Sequence, residues 1–338
     1  MQTPQNREKG TVTKMFWKVE LNKILTEHKT KHAIKDKTVS TRTKDNRDEV
    51  LFRSFKELRE LGYKLDNPRN LREKHFVVLL NHWIEKGLSA STMQGNASVL
   101  RVFCTWIGRP NMIKPLESYV DDKSLVRRTQ VAQEDKSWTG NGIDFEEILK
   151  SIDAYDERAG VQLRVIKAFG LRREEAVCFQ PIRAMKLGED QNSIYVEKGT
   201  KNGLKRHVPI TSDEQRAVLA IACRLAKTTE GHIGWESLSL KQAIAKIAYI
   251  MQKFGVTKKD MGVTLHGLRH EKMHDIYEEV TGHACPVKGG VKGEVDPALD
   301  MLARNKMTQA AGHARLGITN AYAGSHRKVA KSDSTFNV

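Results

Sequence analysis

From about residue 50 to residue 107, apolar side chains recur every three or four positions with polar ones between them, the pattern of helices that each bury one face. Leu51, Phe55, Leu58 and Leu61 mark a first face, closed by Asn67-Pro68. Phe76, Leu79, Leu80, Trp83 and Ile84 mark a second, ending at Gly87. Leu100, Phe103, Trp106 and Ile107 mark a third, for which Ser91 or Thr92 offers the N-terminal cap. Because these aromatics fall on single faces, they read as core rather than as base-stacking groups. Residues 1–45 carry only one short apolar patch, Met15-Phe16-Trp17, among scattered lysines, and read as a basic arm with at most one helix. Between Asp121 and Gly142 the pattern dissolves into charged and small residues, so a helical domain over 46–130 is expected to give way to a second domain over 140–338.

That second domain opens on helical spacing at Phe145 to Ile152 and Val161 to Phe169. Alternation then takes over in Ser193 to Glu197 and Lys205 to Ile210, with Asn202-Gly203 between them as a two-residue turn signal. Helical spacing returns at Asp213 to Ala226, Leu240 to Phe254 and His266 to Val280. The fold class expected is mainly α with a small β-sheet: a helical N-terminal domain followed by an α+β domain.

Composition narrows the function. A chain of 338 residues with 39% hydrophobic content can fill two cores, and no apolar run approaches the roughly 20 residues of a membrane span. The net charge of +16 points to a polyanionic partner, for which nucleic acid is the common answer. It is spread over both halves: 27 Lys and Arg against 17 Asp and Glu up to residue 140, and 30 against 24 beyond it. Cys104, Cys178, Cys223 and Cys285 are too dispersed for a disulfide framework or a cysteine zinc site, which suits a reducing, cytoplasmic setting. The first residues, Met1 to Arg7, lack the apolar core of a signal peptide.

The chemistry is written in the last two thirds of the chain. Gly170-Leu171-Arg172 is followed by Glu175; Lys201 precedes Val208-Pro209 by seven residues; His266-Gly267-Leu268-Arg269 and Gly312-His313 follow; and Tyr322 stands nine residues after His313. Guanidiniums that bind phosphate bidentately, imidazoles that move protons and a phenol that can attack phosphorus together suit phosphodiester chemistry. In this order and spacing the set resembles the tyrosine recombinase (phage integrase) family over roughly residues 140–325.

The resemblance implies a core-binding domain that grips one face of DNA, here residues 46–130, and a tyrosine-recombinase catalytic domain. It implies Arg172 and Arg269 as a clamp on the scissile phosphate, Tyr322 as the nucleophile that forms a 3'-phosphotyrosyl link, and His266 as the acceptor of its proton. His313 would bond a non-bridging oxygen, Lys201 would protonate the departing 5'-oxygen, and Glu175 would support the arginines. It further implies a homotetramer on two double-stranded DNA attachment sites, accessory proteins that bend DNA or bias direction, and no cofactor or metal.

Three other readings share parts of the pattern. A type IB topoisomerase would use the same chemistry, and a DNA-binding protein with a silent site would keep the charge without cleavage. His270-Glu271-Lys272-Met273-His274 also matches the His-Glu-x-x-His pattern of zinc hydrolases, though no third ligand is convincingly placed. The interval from Arg269 to His313 is longer than the family's, with the Gly- and Lys-rich stretch Gly282 to Gly293 inside it, which reads as an inserted surface loop.

Overall fold

The computed structural model describes residues 8–31 and 38–326, with the side chains of 8–15 and of residue 190 outside the description. The N-terminal heptapeptide and the tail beyond residue 326 therefore lie outside it too. The chain divides into two compact units, with the boundary between Thr129 and Gln130.

The first unit is a helical bundle: α1 (Glu8–His28), α2 (Thr41–Glu60), α3 (Glu73–Glu85) and α4 (Ala90–Trp106). The three faces read from the sequence supply its core, in which Leu51, Phe55, Leu58, Phe76, Leu79, Leu80, Trp83, Leu100 and Phe103 are buried. Two expectations change. The cap of α4 is Ser89, whose hydroxyl accepts from the Thr92 amide, rather than Ser91 or Thr92. More important, the basic arm is not free along its length: Trp17, Leu21, Ile24 and Leu25 of α1 are buried in the bundle core at the spacing of one helical face. Charged residues flank that short apolar patch and mask it in sequence.

The second unit begins earlier than the change in pattern suggested. Trp138 is fully buried in its core, and its indole N–H donates to the Thr264 carbonyl at 2.9 Å, so residues 131–139 are structured rather than a linker. Helices α5 (Phe145–Tyr155), α6 (Glu157–Phe169), α7 (Arg173–Val177) and α8 (Pro181–Lys186) lead into an antiparallel pair, β1 (Ser193–Val196) and β2 (Arg206–Pro209). The register sets Val196 against Arg206. The connection is thus longer than a two-residue Asn202-Gly203 turn; it runs over residues 197–205 and holds a short 3-10 turn from Lys201 to Gly203. Then come α9 (Asp213–Ala226), α10 (Leu240–Lys253), α11 (His266–Thr281), α12 (Pro297–Ala311) and the single-turn α13 (Asn320–Ala323). Ser212 and Ser239 start α9 and α10 with capping boxes to Gln215 and Gln242. Helix α11 is the centre of the site, since it packs on α6, α12 and α13 and carries buried polar residues along its length.

Candidate active site

Tyr322, on α13, is 6% exposed, and its hydroxyl is held by two groups. Arg269 Nε donates to it at 3.1 Å and His313 Nε2 lies 3.2 Å away. A guanidinium can only donate, so the phenolic oxygen accepts from Arg269, while its contact with the His313 imidazole can run in either direction according to the tautomer. Burial, followed by the charges of Arg269, Arg172, Lys201 and Arg206, holds the His313 pKa down to about 4, so this imidazole is neutral at pH 7 and able to take a proton.

Arg269 is wholly buried and reaches three separate segments. Besides Tyr322, its terminal nitrogens donate to the Gly170 carbonyl at the end of α6 and to the Ala311 carbonyl at the end of α12. Its place on the first turn of α11 therefore fixes the distance between the Arg172 loop, the His313 loop and Tyr322.

Below it lies Glu175, fully buried in the first turn of α7. Its carboxylate accepts from the Arg172 backbone at 2.8 Å, from Arg172 Nη1 at 2.7 Å and from both terminal nitrogens of Arg206 at 2.8 and 2.7 Å, and sits 3.9 Å from Arg269. Burial pushes the Glu175 pKa up, but hydrogen bonds and charge from Arg206 and Arg172 outweigh it and bring the pKa to about 2. One carboxylate thus gathers three guanidiniums, leaving the cluster net positive. Arg172 is the partly open member, with 17% of its side chain exposed.

Arg206 was not among the residues expected here. It is buried, forks onto Glu175 and donates through Nε to the Ala310 carbonyl at 2.8 Å, which ties β2 to the end of α12. The signal was present in the strand alternation, since Arg206 shares the inward face with Val208. Gly312 makes room for it. Its φ of +63° closes α12 in the left-handed region, and a Cβ there would come within 2.8 Å of Arg206 Cδ.

The remaining expected residues fall around this centre. His266 opens α11; its ring lies 6.2 Å from the Tyr322 ring, centre to centre, and among the described residues it makes no hydrogen bond to the hydroxyl. Although the residue as a whole is exposed, desolvation of its ring by the groups packed around it, followed by the charges of Arg269, Arg172 and Lys136, brings its pKa to about 4. Lys201 is exposed on the β1–β2 connection, close enough for its charge to depress His313. The His270 ring lies 4.8 Å from the Tyr322 ring, centre to centre and tilted by 52°, and His274 Nε2 lies 3.0 Å from the Tyr322 carbonyl.

The His-Glu-x-x-His residues are engaged in packing. Glu271 accepts from the amides of Trp138 and Thr139, both at 3.1 Å, His270 faces the phenol and His274 the backbone of α13. Among the described residues no three His, Cys, Asp or Glu side chains converge as a metal site, and the four cysteines are unpaired. No helix of the described residues is long and apolar enough to cross a membrane.

Residues 25–113 match a family model described as the N-terminal domain of phage integrases, and residues 128–275 match one described as integrase. No curated protein matches the chain in sequence. Among solved structures, a lambda integrase dimer bound to a COC' core site superposes with a TM-score of 0.56 at 14% identity, covering 98% of this chain and 85% of that one. The Tn1549 transposon integrase in complex with a circular intermediate DNA superposes with a TM-score of 0.54 at 15% identity, covering 93% and 96%. A lambda integrase tetramer bound to a Holliday junction gives 0.53 at 14%, covering 94% and 80%. With the fold shared and both family models matched in order, the chain belongs to the tyrosine recombinase (phage integrase) family.

Proposed function

We propose that this chain cleaves and rejoins double-stranded DNA at specific attachment sites through a 3'-phosphotyrosyl intermediate on Tyr322, integrating or excising a mobile element. The observation that carries the reading is the phenol held between Arg269 Nε and His313 Nε2 beside a cluster of guanidiniums gathered by Glu175.

The scissile phosphate docks against Arg172, the open guanidinium, with Arg269 behind it; their fixed charges oppose the negative charge that builds on the phosphoryl oxygens. The Tyr322 oxygen attacks phosphorus as the bond to the 5'-oxygen breaks. Its proton passes to His313, which already lies on the hydroxyl, so His313 takes the acceptor role that the resemblance gave to His266. His266, whose ring lies 6.2 Å from the phenol ring, is left to bond a non-bridging oxygen. Lys201 swings in on its exposed connection and gives a proton to the 5'-oxygen. The phosphotyrosyl bond keeps the energy of the phosphodiester, so a second 5'-hydroxyl can reverse the step without a nucleotide.

The net charge of +16 supports DNA as the partner, with the helical unit up to Thr129 supplying a second grip. The dimeric and tetrameric DNA complexes of similar integrases support a tetramer acting on two sites. The test is incubation, in chelator, with nicked suicide duplexes that carry candidate attachment sequences, followed by denaturing electrophoresis. A covalent band that disappears in Tyr322→Phe is expected. No band on any duplex despite salt-sensitive binding would replace the reading with a silent DNA-binding protein. A band accompanied by relaxation of supercoiled plasmid without strand exchange would replace it with a topoisomerase.

A further inference from the structure

Two features have no part in the chemistry above: the inserted stretch Gly282 to Gly293 and a buried arginine on α12. Both end on the segment that carries Tyr322. Arg304 is 8% exposed. Its Nε donates to both oxygens of Asp300 at 3.0 and 2.9 Å, and Asp300 in turn accepts from the Tyr277 hydroxyl on α11 at 2.7 Å. Its terminal nitrogens then bracket the nucleophile segment. Nη1 donates to Thr319 Oγ1 at 3.3 Å and to Asn320 Oδ1 at 2.9 Å, before Tyr322; Nη2 donates to the Gly324 carbonyl at 3.2 Å, after it.

The insertion supplies the opposite wall. Cys285 is fully buried in the same small core as Met273, Tyr277, Met307 and Tyr322, so this stretch is partly packed rather than a surface excursion. A short 3-10 turn from Pro286 to Lys288 follows, and Lys288 Nζ ties it to Glu278 of α11 at 2.7 Å. Val287 lies directly against Gly324: a Cβ on Gly324 would stand 3.1 Å from the Val287 amide nitrogen and 3.2 Å from its Cβ. A single-turn helix has too few internal hydrogen bonds to hold itself. Beside the contacts of Tyr322 with Arg269, His313 and His274 and the bond from the Ala132 amide to the Asn320 carbonyl, this cradle holds α13 at both ends.

We propose that Arg304 and the insertion's Cys285–Val287 turn form a latch that holds the Tyr322 segment docked in the chain's own site. Arg304 is a positioning residue: it touches neither phosphate nor phenol and acts by keeping the phenolic oxygen on Arg269 and His313. The latch rests on the function proposed above only for its consequence, since the docking itself can be read without DNA.

The test compares the wild type with Arg304→Gln and, in case that variant fails to fold, with Arg304→Lys, which keeps the charge near Asp300 but cannot bracket both ends. Amide hydrogen exchange read by mass spectrometry on the full chain without DNA should rise at least tenfold in peptides covering residues 316–324, while α11 and α12 stay protected. Trypsin should cut faster after the exposed Arg315. On a nicked duplex that gives the Tyr322 band, the variants should lose cleavage rate at least tenfold while the dissociation constant for that duplex changes less than twofold. Equal exchange in 316–324 with and without Arg304, or a rise spread equally over α11 and α12, would overturn the latch. If exchange behaves as expected but no duplex gives a covalent band even with the wild type, the latch stands and the proposed function fails.

Discussion

The two units bury charge in different patterns. In the helical unit the buried polar groups make separate bonds between neighbouring elements: Arg47 donates to the carbonyls of Lys29 and Lys31 at 2.7 and 2.9 Å, near the end of α1, and Glu57 accepts the indole N–H of Trp83 at 2.9 Å. Around them the core is built of Trp17, Phe55, Phe76 and Phe103. In the second unit Arg206 donates to the Ala310 carbonyl, Arg269 to the Gly170 and Ala311 carbonyls and the Tyr322 hydroxyl, and Glu175 accepts from Arg172 and Arg206, so the bonds join several segments and converge around one phenol. Taking each ion out of water costs several kcal/mol before pairing offsets it. The chain can make a stable core without such a cluster, as its first unit does, so the cluster is explained by what it positions rather than by what it stabilises.

The sharpest way to break that contrast is to damage each unit once. Glu175→Ala leaves three guanidiniums facing one another without their carboxylate, and we expect cleavage of a nicked duplex to fall by about 10³-fold or more, with a stability loss of about 3–5 kcal/mol. Trp83→Ala should lose a similar amount, about 3–5 kcal/mol, yet change the single-turnover rate at saturating protein by less than roughly tenfold. Equal losses of rate per folded molecule would mean that the buried charges serve stability alone. Next in size, His313→Ala should slow cleavage by about 10²–10⁴-fold as the loss of a proton acceptor. Its pH–rate profile should lose the acid limb that wild type shows on protonation of that imidazole. If His266→Ala removes that limb instead, the two histidines exchange roles.

Titration separates the units without mutation. His313 is held at about 4 and His270 at about 2, against 6.5 for the free side chain, so below pH 6.5 the unfolded chain binds protons that the folded one refuses. Stability should therefore fall as pH drops from about 6.5 towards 4. Glu175, at about 2 against 4.5, contributes stability that is present above about 4.5 and is lost as pH falls towards 2. Amide exchange at pH 7 and pH 5 should show this loss in α11, α12 and α13 and leave α4, which carries no histidine, protected; uniform loss over both units would refute it.

The helices were legible because their apolar faces repeat over several turns, and α9 and α10 start where Ser212 and Ser239 cap them. The ordered motif brought five polar residues to one neighbourhood because each sits at a place the fold fixes: the N-cap of α7 for Arg172, the first turn of α11 for His266 and Arg269, the residue after the Gly312 cap for His313, and α13 for Tyr322. What stayed hidden depended on long-range pairing. Arg206 is one basic residue among Lys205, Arg206 and His207, and only the strand register turns it inward onto Glu175. Trp17 lies in a short apolar patch and Trp138 stands alone among charged and small residues, the partners of both being far away in sequence, and Arg304 looks like any helical arginine until Thr319 and Gly324 close on it.

The smallest expected effect concerns the contrast between those buried arginines and the exposed connection that carries Lys201. Glu197, where β1 ends, accepts from Arg183 Nε at 2.7 Å and from Lys205 Nζ at 3.4 Å, and so links both ends of the connection. Arg183 and Lys205 are both open to solvent, and such pairs are worth about 1 kcal/mol or less. Glu197→Gln should therefore slow cleavage only about fivefold, the rate equivalent of about 1 kcal/mol. If the loss comes from a less well placed Lys201, replacing the bridging 5'-oxygen of the scissile phosphate by sulfur should erase it, because a thiolate leaves without receiving a proton. The same substrate should rescue Lys201→Ala and leave Arg172→Ala unrescued. A deficit in Glu197→Gln that persists on the sulfur substrate would show that the connection serves phosphate binding rather than the leaving group.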